Sequence, residues 1–355
     1  MKNAGPPWLG RSDVSGNVRH AARTLASASA TSRSENRLNL PLIFSCSHNR
    51  AVYPPPSSSL AEEKRLRSLL LRAAARDSPT LAARAERSQT VRIRLRSLLV
   101  MELFDSLLDD ETLIRRPESQ VPAVVASHRE LRGAYRNLIA SLVAVDRRLT
   151  EIARQIQPGD SIPVSVLISG GAGGLLALAR HEMPGIEIAA VEPTVRDLDD
   201  LAGSAARVIS AAAGLGPDVA VFIEVPYAPG WETAVELIEA AGLYGKIVAD
   251  QAEPRRLAEQ LSILIEADLP FKITSASTVE CLSLLTAVEG LVAGGSLDDA
   301  AELLIRDDPD RIGAALSSWD QTTQSRIRRR VRRLGIDQPQ QVITSLTSYL
   351  GLPAP

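Results

Sequence analysis

Apolar and polar positions alternate along residues 101–355 in a pattern that predicts short buried strands separated by amphipathic helices. Strands are predicted in the segments PVSVLIS, IEIAAVEP, DVAVFIEVP, YGKIVAD and PFKITSA. Helical spacing of apolar residues follows each of them, for example in WETAVELIEAAG and PRRLAEQLSILIEAD. Strands that alternate with helices through short connections predict a parallel sheet covered by helices.

The number of these units predicts a closed barrel. With a first strand near Leu113 and Ile114 and a last strand near residues 331–334, about eight strand and helix units occupy about 255 residues, which is typical of a (β/α)8 TIM barrel. The segment between the seventh and eighth units, residues 296–335, predicts a helical excursion before the barrel closes. QQVITSLTSYLG is predicted as the final helix.

Strand alternation places a set of polar side chains inside this barrel, provided that the β-branched apolar face of each strand meets the helices. The inward residues are then Ser169, Glu192, Glu224, Lys246, Asp250, Lys272 and Thr274. Those at C-terminal strand ends are Ser169, Glu192, Glu224 and Asp250. Because (β/α)8 enzymes carry their active sites at that end, the set predicts a site there.

Two lysines stand out in this set. The chain has 40 basic residues but only four lysines, and Lys246 and Lys272 are the two that follow residue 101. A desolvated lysine amine can lose its proton and act as a base or Schiff-base nucleophile, which an arginine cannot do. One lysine is therefore expected to lower the pKa of the other, with Glu224 or Asp250 as the proton-transfer group. The alternative is that these charges form buried ion pairs and only satisfy each other.

A glycine cluster, Ser169-Gly170-Gly171-Ala172-Gly173-Gly174, lies where the third strand gives way to a helix. Its backbone amides are candidates to bind a phosphate or carboxylate. We expect a ligand to contact Ser169, Gly170, Gly171, Glu192 and Thr274. The cluster also permits a Rossmann interpretation with Glu192 as ribose ligand, although its spacing is not G-x-G-x-x-G.

The first hundred residues differ in charge from the rest. Residues 1–100 carry a net charge of +11 and residues 101–355 carry −13. Residues 1–60, rich in Ser, Ala, Pro and Arg, are predicted to be disordered, and 60–100 to be partly helical. This arm is interpreted as an organelle transit segment, as an arm that binds nucleic acid or a membrane surface, or as upstream sequence translated from a wrong start, with Met101 as the true one. The third interpretation is preferred.

Composition narrows the functional classes. Cys46 and Cys281 lie in different regions and provide neither a disulfide framework nor metal-ligand spacing, so we expect no metal and no cofactor. The chain contains no apolar run long enough to span a bilayer. We therefore expect a soluble cytoplasmic protein with a small-molecule ligand, and neither a membrane nor nucleic acid as partner.

Five motifs follow one another in residues 101–355: LLDDETLIRRPES, VASHRELR, FIEVP, GLYGKIVAD and FKITSASTV. In this order the chain resembles an uncharacterised bacterial family of barrel-like proteins with DDAALFPPG, VAAHRAHR, GLRAKxRxGG and FKATAGLHH motifs and an acidic strand end. The resemblance implies a (β/α)8-like fold and a small-molecule site. The positions it carries over are Asp109, Asp110, His128, Glu224, Lys246 and Lys272, and we expect Asp109 and Asp110 to contact the ligand as well.

The chain also departs from this family. Val248-Ala249-Asp250 replace an arginine and paired glycines, Ser277-Thr278 replace paired histidines, and the closing cysteine-bearing strand is missing. The resemblance therefore implies a divergent copy whose site has lost polar groups.

Three hypotheses about function follow. The first is a lyase or aldolase-like enzyme that acts on a small carbonyl or carboxylate metabolite through Lys246 or Lys272. The second is a catalytically inactive barrel that binds a ligand or partner. The third is a Rossmann-type nucleotide-binding enzyme, which predicts a sheet that does not close.

Overall fold

The computed structural model of the protein describes residues 103–135, 137–250, 252–275, 278–305 and 308–349. The expectations for residues 1–100, for Cys46 and for Met101 lie outside the described residues. The strands are β1 (Leu108–Asp110), β2 (Ile139–Val145), β3 (Ile162–Ile168), β4 (Ile186–Pro193), β5 (Ala220–Glu224), β6 (Tyr244–Val248), β7 (Phe271–Ser275) and β8 (Val331–Ile336).

Helices follow the strands in the order that the sequence pattern predicts. They are α1 (Thr112–Arg115), α2 (Val121–Tyr135), α3 (Leu149–Ala153), α4 (Gly171–Leu178), α5 (Leu201–Ala212), α6 (Trp231–Ala240), α7 (Pro254–Glu266), α8 (Thr278–Val292), α9 (Leu297–Ile305), α10 (Pro309–Ser318), α11 (Gln321–Arg330) and α12 (Pro339–Tyr349). No helix in the described ranges is both long and apolar enough to cross a membrane.

The eight strands form one closed parallel barrel in which β1 pairs with both β2 and β8. This confirms the predicted (β/α)8 TIM barrel. The Rossmann alternative is wrong, because its sheet would have stayed open. Strand β8 also confirms the last predicted strand.

The position of the first strand corrects the sequence interpretation. Leu113 and Ile114 lie in the short helix α1, and the strand is the preceding triplet Leu108-Asp109-Asp110. Leu108 is fully buried and pairs with Ile139 on β2 and Leu334 on β8. Because both aspartates of this strand are buried against polar partners, its apolar pattern is too weak to mark it as a strand.

The outward faces of the strands form the core with the surrounding helices. Val164, Val166 and Ile168 on β3 and Val221 and Ile223 on β5 are buried in the main apolar cluster. The predicted division of each strand into an apolar outer face and a partly polar inner face is thus confirmed on these strands. It leaves the polar residues of β4, β6 and β7 to meet inside the barrel.

The helical excursion covers α8. Residues 281–288 of α8 are all buried, including Cys281. They are buried because α9, α10, α11 and α12 pack around α8, which also contacts the barrel. A helix that is apolar all round needs such a complete cover. The excursion therefore forms an outer layer over α8, the helix that packs on β7 and β8.

Candidate functional site

A cavity of about 360 Å³ opens at the C-terminal ends of the strands. This volume falls in the range of about 300–1,000 Å³ that is usual for small-molecule sites. Its charged lining is Glu111, Arg115, Glu192, Arg196, Glu224, Lys246 and Asp250. Ser169 and Thr274 also line it, so six of the residues predicted from the sequence meet there.

Lys272 lies beneath this cavity and does not line it. Its side chain is fully buried, and its Nζ donates to Asp109 Oδ2 at 2.9 Å and to Glu192 Oε1 at 2.7 Å. Glu111 Oε1 lies 3.5 Å from the same nitrogen. Burial alone would lower the pKa of Lys272, but these three carboxylates outweigh burial and raise it. Lys272 is therefore held as an ammonium ion.

Lys246 lies beside Lys272 on the neighbouring strand and reaches the cavity. Its Nζ is 3.0 Å from Glu192 Oε2 and 3.2 Å from Glu224 Oε2. Neither approach is aligned as a hydrogen bond, and Glu192 Oε2 accepts none among the described residues, so these attractions are Coulombic. An ammonium group has three N–H donors and only these two carboxylates lie within ion-pair distance of Lys246 among the described residues, so at least one donor remains for a ligand.

The expected lowering of a lysine pKa is wrong for both lysines. For Lys246, burial lowers the pKa, but the carboxylates of Glu192, Glu224 and Glu111 raise it further than burial and Lys272 lower it. The sequence showed the two lysines as neighbours. It did not show that carboxylates from β4, β5 and the end of β1 converge on them.

Glu192 joins the two lysines. Its Oε1 accepts from Ser165 Oγ at 2.6 Å as well as from Lys272, while its Oε2 faces Lys246. Burial of this carboxylate would raise its pKa, but the two lysines and the hydrogen bond from Ser165 lower it well below its usual value. Glu192 is thus an anion at neutral pH, held between the two lysines inside the barrel.

Glu111 was not identified from the sequence. It follows β1, is only 3% exposed, lines the cavity and accepts from Arg115 Nε at 3.1 Å. Burial raises the pKa of Glu111, and the opposing effect of Lys272 does not cancel it. Because β1 was predicted five residues too late, this carboxylate was assigned to no strand end.

Arg115 was also missed, and it changes the interpretation of Asp250. The Arg115 guanidinium forms an ion pair with the Asp250 carboxylate across the mouth, joining α1 to the segment after β6. Both side chains are partly buried, at 17% and 22% exposure. Asp250 therefore lines the cavity as one half of an ion pair.

The resemblance carried over Asp109, Asp110 and His128 from the first two motifs. All three make contacts within the protein beside the cavity. Asp109 accepts from Lys272 and from Ser141 Oγ at 2.7 Å. Asp110 lies 2.9 Å from the Nδ1 of the buried His128 and accepts from the Thr112 amide at the start of α1. Since neither aspartate lines the cavity, the structure does not support the expectation that they contact a ligand in it.

The glycine cluster does not form the expected cradle as a whole. Ser169 donates its amide (2.9 Å) and its hydroxyl (2.7 Å) to the Asp146 carboxylate, so a side chain of the protein already occupies this position. Gly170 and Gly171 begin α4 and do not line the cavity. Only Ser169 of this cluster reaches the site, and the exposed Arg196 donates to its carbonyl oxygen.

Comparison with known proteins does not assign the chain to a family. The resemblance to the bacterial barrel family remains an expectation based on the five motifs. No protein-family model, no curated protein and no solved structure matches the chain.

Proposed function

We propose that the protein binds a small metabolite with a carbonyl or carboxylate group at the C-terminal mouth of the barrel. Lys246 is the cation that contacts an oxygen atom of this ligand. The observation that carries the proposal is the contrast between the lysines. Among the described residues, Lys246 borders the cavity and makes two ion pairs without an aligned hydrogen bond, whereas Lys272 is enclosed and donates to two carboxylates.

The chemistry that this arrangement favours is lyase-like. An ammonium ion fixed in a partly desolvated site stabilises negative charge that develops on a carbonyl oxygen. Glu192 and Glu224 hold the Lys246 ammonium in place through ion pairs at 3.0 and 3.2 Å, and its third N–H donor is left for the ligand. Formation or cleavage of a carbon–carbon bond next to a carbonyl group passes through such an oxygen-centred charge.

Binding is tested by saturation-transfer NMR on the full chain with pyruvate, 2-oxoglutarate, glyceraldehyde 3-phosphate and dihydroxyacetone phosphate. We expect at least one compound to bind the wild type and to lose affinity in Lys246→Met. The control is Arg329→Ala, because Arg329 is exposed on α11, away from the cavity lining. Equal binding by Lys246→Met and wild type would refute the proposed site.

A Schiff-base lyase is the second candidate, and the access of Lys246 Nζ to the cavity favours it. Such a reaction needs a neutral amine. The raised pKa of Lys246 opposes a neutral amine unless a ligand displaces Glu192 or Glu224 from the ammonium.

Sodium borohydride treatment with each carbonyl compound, followed by peptide mapping, tests the Schiff-base lyase. An adduct on Lys246 that disappears in Lys246→Arg supports covalent chemistry. Binding without any adduct leaves Lys246 as an electrostatic partner, and binding without turnover supports the inactive barrel.

A further inference from the structure

The Glu111 carboxyl group lies between the cavity and the buried Lys272. It lines the cavity on one side, and its Oε1 is 3.5 Å from Lys272 Nζ on the other. Its Oε2 accepts from Arg115 Nε at 3.1 Å. A side chain that is 3% exposed, lines the cavity and is held by the charge network is well placed to exchange a proton with a ligand in the cavity.

A glycine on the last strand creates the space for this carboxyl group. Gly335 pairs in register with Asp109 on β1 and Thr274 on β7. A Cβ atom at Gly335 would overlap Glu111 Oε1 and would lie 3.0 Å from Lys272 Cε. The Glu111 carboxyl group is therefore fixed in a niche in the barrel wall that a larger residue would fill.

The electrostatic setting of Glu111 differs from that of Glu192. The charged groups that face Glu111 are Lys272 on β7, Glu192 on β4, Lys246 on β6 and Arg115 on α1. Burial raises the pKa of Glu111, Glu192 raises it further, and the cations offset only part of this. The pKa of Glu192 is lowered instead. Two nearby carboxyl groups with pKa values shifted in opposite directions are the usual arrangement of an acid–base group beside a permanent anion.

Resting on the function proposed above, we propose that Glu111 is the catalytic acid–base group of this site and that its substrates are carbonyl compounds with a proton on the adjacent carbon. The Glu111 carboxylate takes that proton: the carbon–hydrogen bond breaks, an oxygen–hydrogen bond forms on Glu111, and the electron pair moves to the carbonyl oxygen. The resulting negative charge faces the Lys246 ammonium. Return of the proton from Glu111 restores the starting compound.

Deuterium exchange tests the catalytic role. The full chain is incubated with pyruvate in D₂O, and loss of the methyl signal is followed by proton NMR. Because general acid–base catalysis contributes typically about 10²- to 10⁴-fold, Glu111→Gln is expected to slow the enzyme-dependent exchange about 100-fold or more. Glu187→Gln, which alters an exposed glutamate of β4, is expected to exchange like wild type. Gly335→Ala, which displaces the carboxyl group, is expected to slow exchange while pyruvate still binds.

A second measurement needs no ligand. With [5-¹³C]glutamate in the full chain, the carboxyl resonance that disappears in Glu111→Gln is followed against pH, and we expect its midpoint above the ordinary value of 4.5. A midpoint at or below 4.5 would overturn the role of Glu111 whatever ligand binds. Wild type that binds pyruvate but exchanges no faster than Glu111→Gln would overturn the catalytic step alone. Failure to bind pyruvate and each of the other three carbonyl compounds of the binding assay would contradict the substrate class.

Discussion

The Oε2 atom of Glu192 lies 3.0 Å from the Nζ of Lys246, at the centre of the barrel mouth. The other oxygen of the same carboxylate accepts from Lys272 at 2.7 Å, so one anion serves two lysines on adjacent strands. The lysines nevertheless differ in their surroundings. Lys272 has no contact with the cavity, whereas Lys246 borders it. This difference, and the excess of carboxylates around both amines, determines the chemistry that we expect of the site.

Removal of Lys272 is expected to destabilise the fold strongly. Lys272→Met leaves the buried Asp109, Glu111 and Glu192 without their shared cation, and an uncompensated buried charge costs about 3–5 kcal/mol. Lys246→Met is expected to cost less, because Glu224 is 27% exposed and retains water. Urea denaturation of the full chain measures both free energies of unfolding. Equal losses in the two variants would contradict the described difference in enclosure.

The pH dependence of stability is expected to depend on Glu192. Its pKa is lowered in the folded state, so its ionisation stabilises the fold above the unfolded value of 4.5, and this contribution is lost as the pH falls below 4.5 toward the folded value. The free-energy advantage of wild type over Glu192→Gln should therefore be largest above pH 4.5 and shrink below it. Urea denaturation at a series of pH values measures this difference. Glu187→Gln, at an exposed position on the same strand, is the control, and an advantage that grows on acidification would contradict the account.

Filling the niche at Gly335 is expected to destabilise the barrel by overpacking. The new methyl group of Gly335→Ala overlaps Glu111 Oε1, and such overpacking costs typically about 1–3 kcal/mol. Gly133, within α2, provides the matched control because a Cβ there meets no atom within 4 Å. Gly133→Ala is expected to gain up to about 1 kcal/mol from helix propensity. Thermal unfolding measures the stability of both variants. A Gly335→Ala variant as stable as wild type would show that the niche does not confine Glu111.

Cys281 is expected to be inert in the folded protein. It is fully buried in α8, and burial raises the pKa of its thiol well above the usual range, which suppresses the reactive thiolate. In a Cys46→Ser background, a thiol reagent is expected to modify Cys281 only after denaturant is added. Rapid modification of the native protein would show that α8 opens or that the thiol is accessible.

The sequence predicted the barrel because β3 to β7 and the helices between them carry clear apolar periodicity. It failed at β1, where Asp109 and Asp110 occupy a buried strand and remove that signal. Glu111 and Arg115 were missed for the same reason, since their importance depends on where β1 ends. Inward placement of Glu192, Lys246 and Lys272 was predicted correctly from alternation. The direction of the lysine pKa shifts was not, because it depends on charged side chains from β1, β4, β5, β6 and β7 that meet at one point.

The most direct test of the central claim, that Lys246 faces the ligand and Lys272 does not, is reductive methylation of the full chain followed by peptide mapping. With formaldehyde and cyanoborohydride, we expect Lys246 to be labelled slowly in the free protein and Lys272 to stay unlabelled until the protein unfolds. A compound that binds in the NMR assay is expected to protect Lys246. Labelling of Lys272 at the rate of Lys246, or labelling of Lys246 that a bound compound leaves unchanged, would contradict the account.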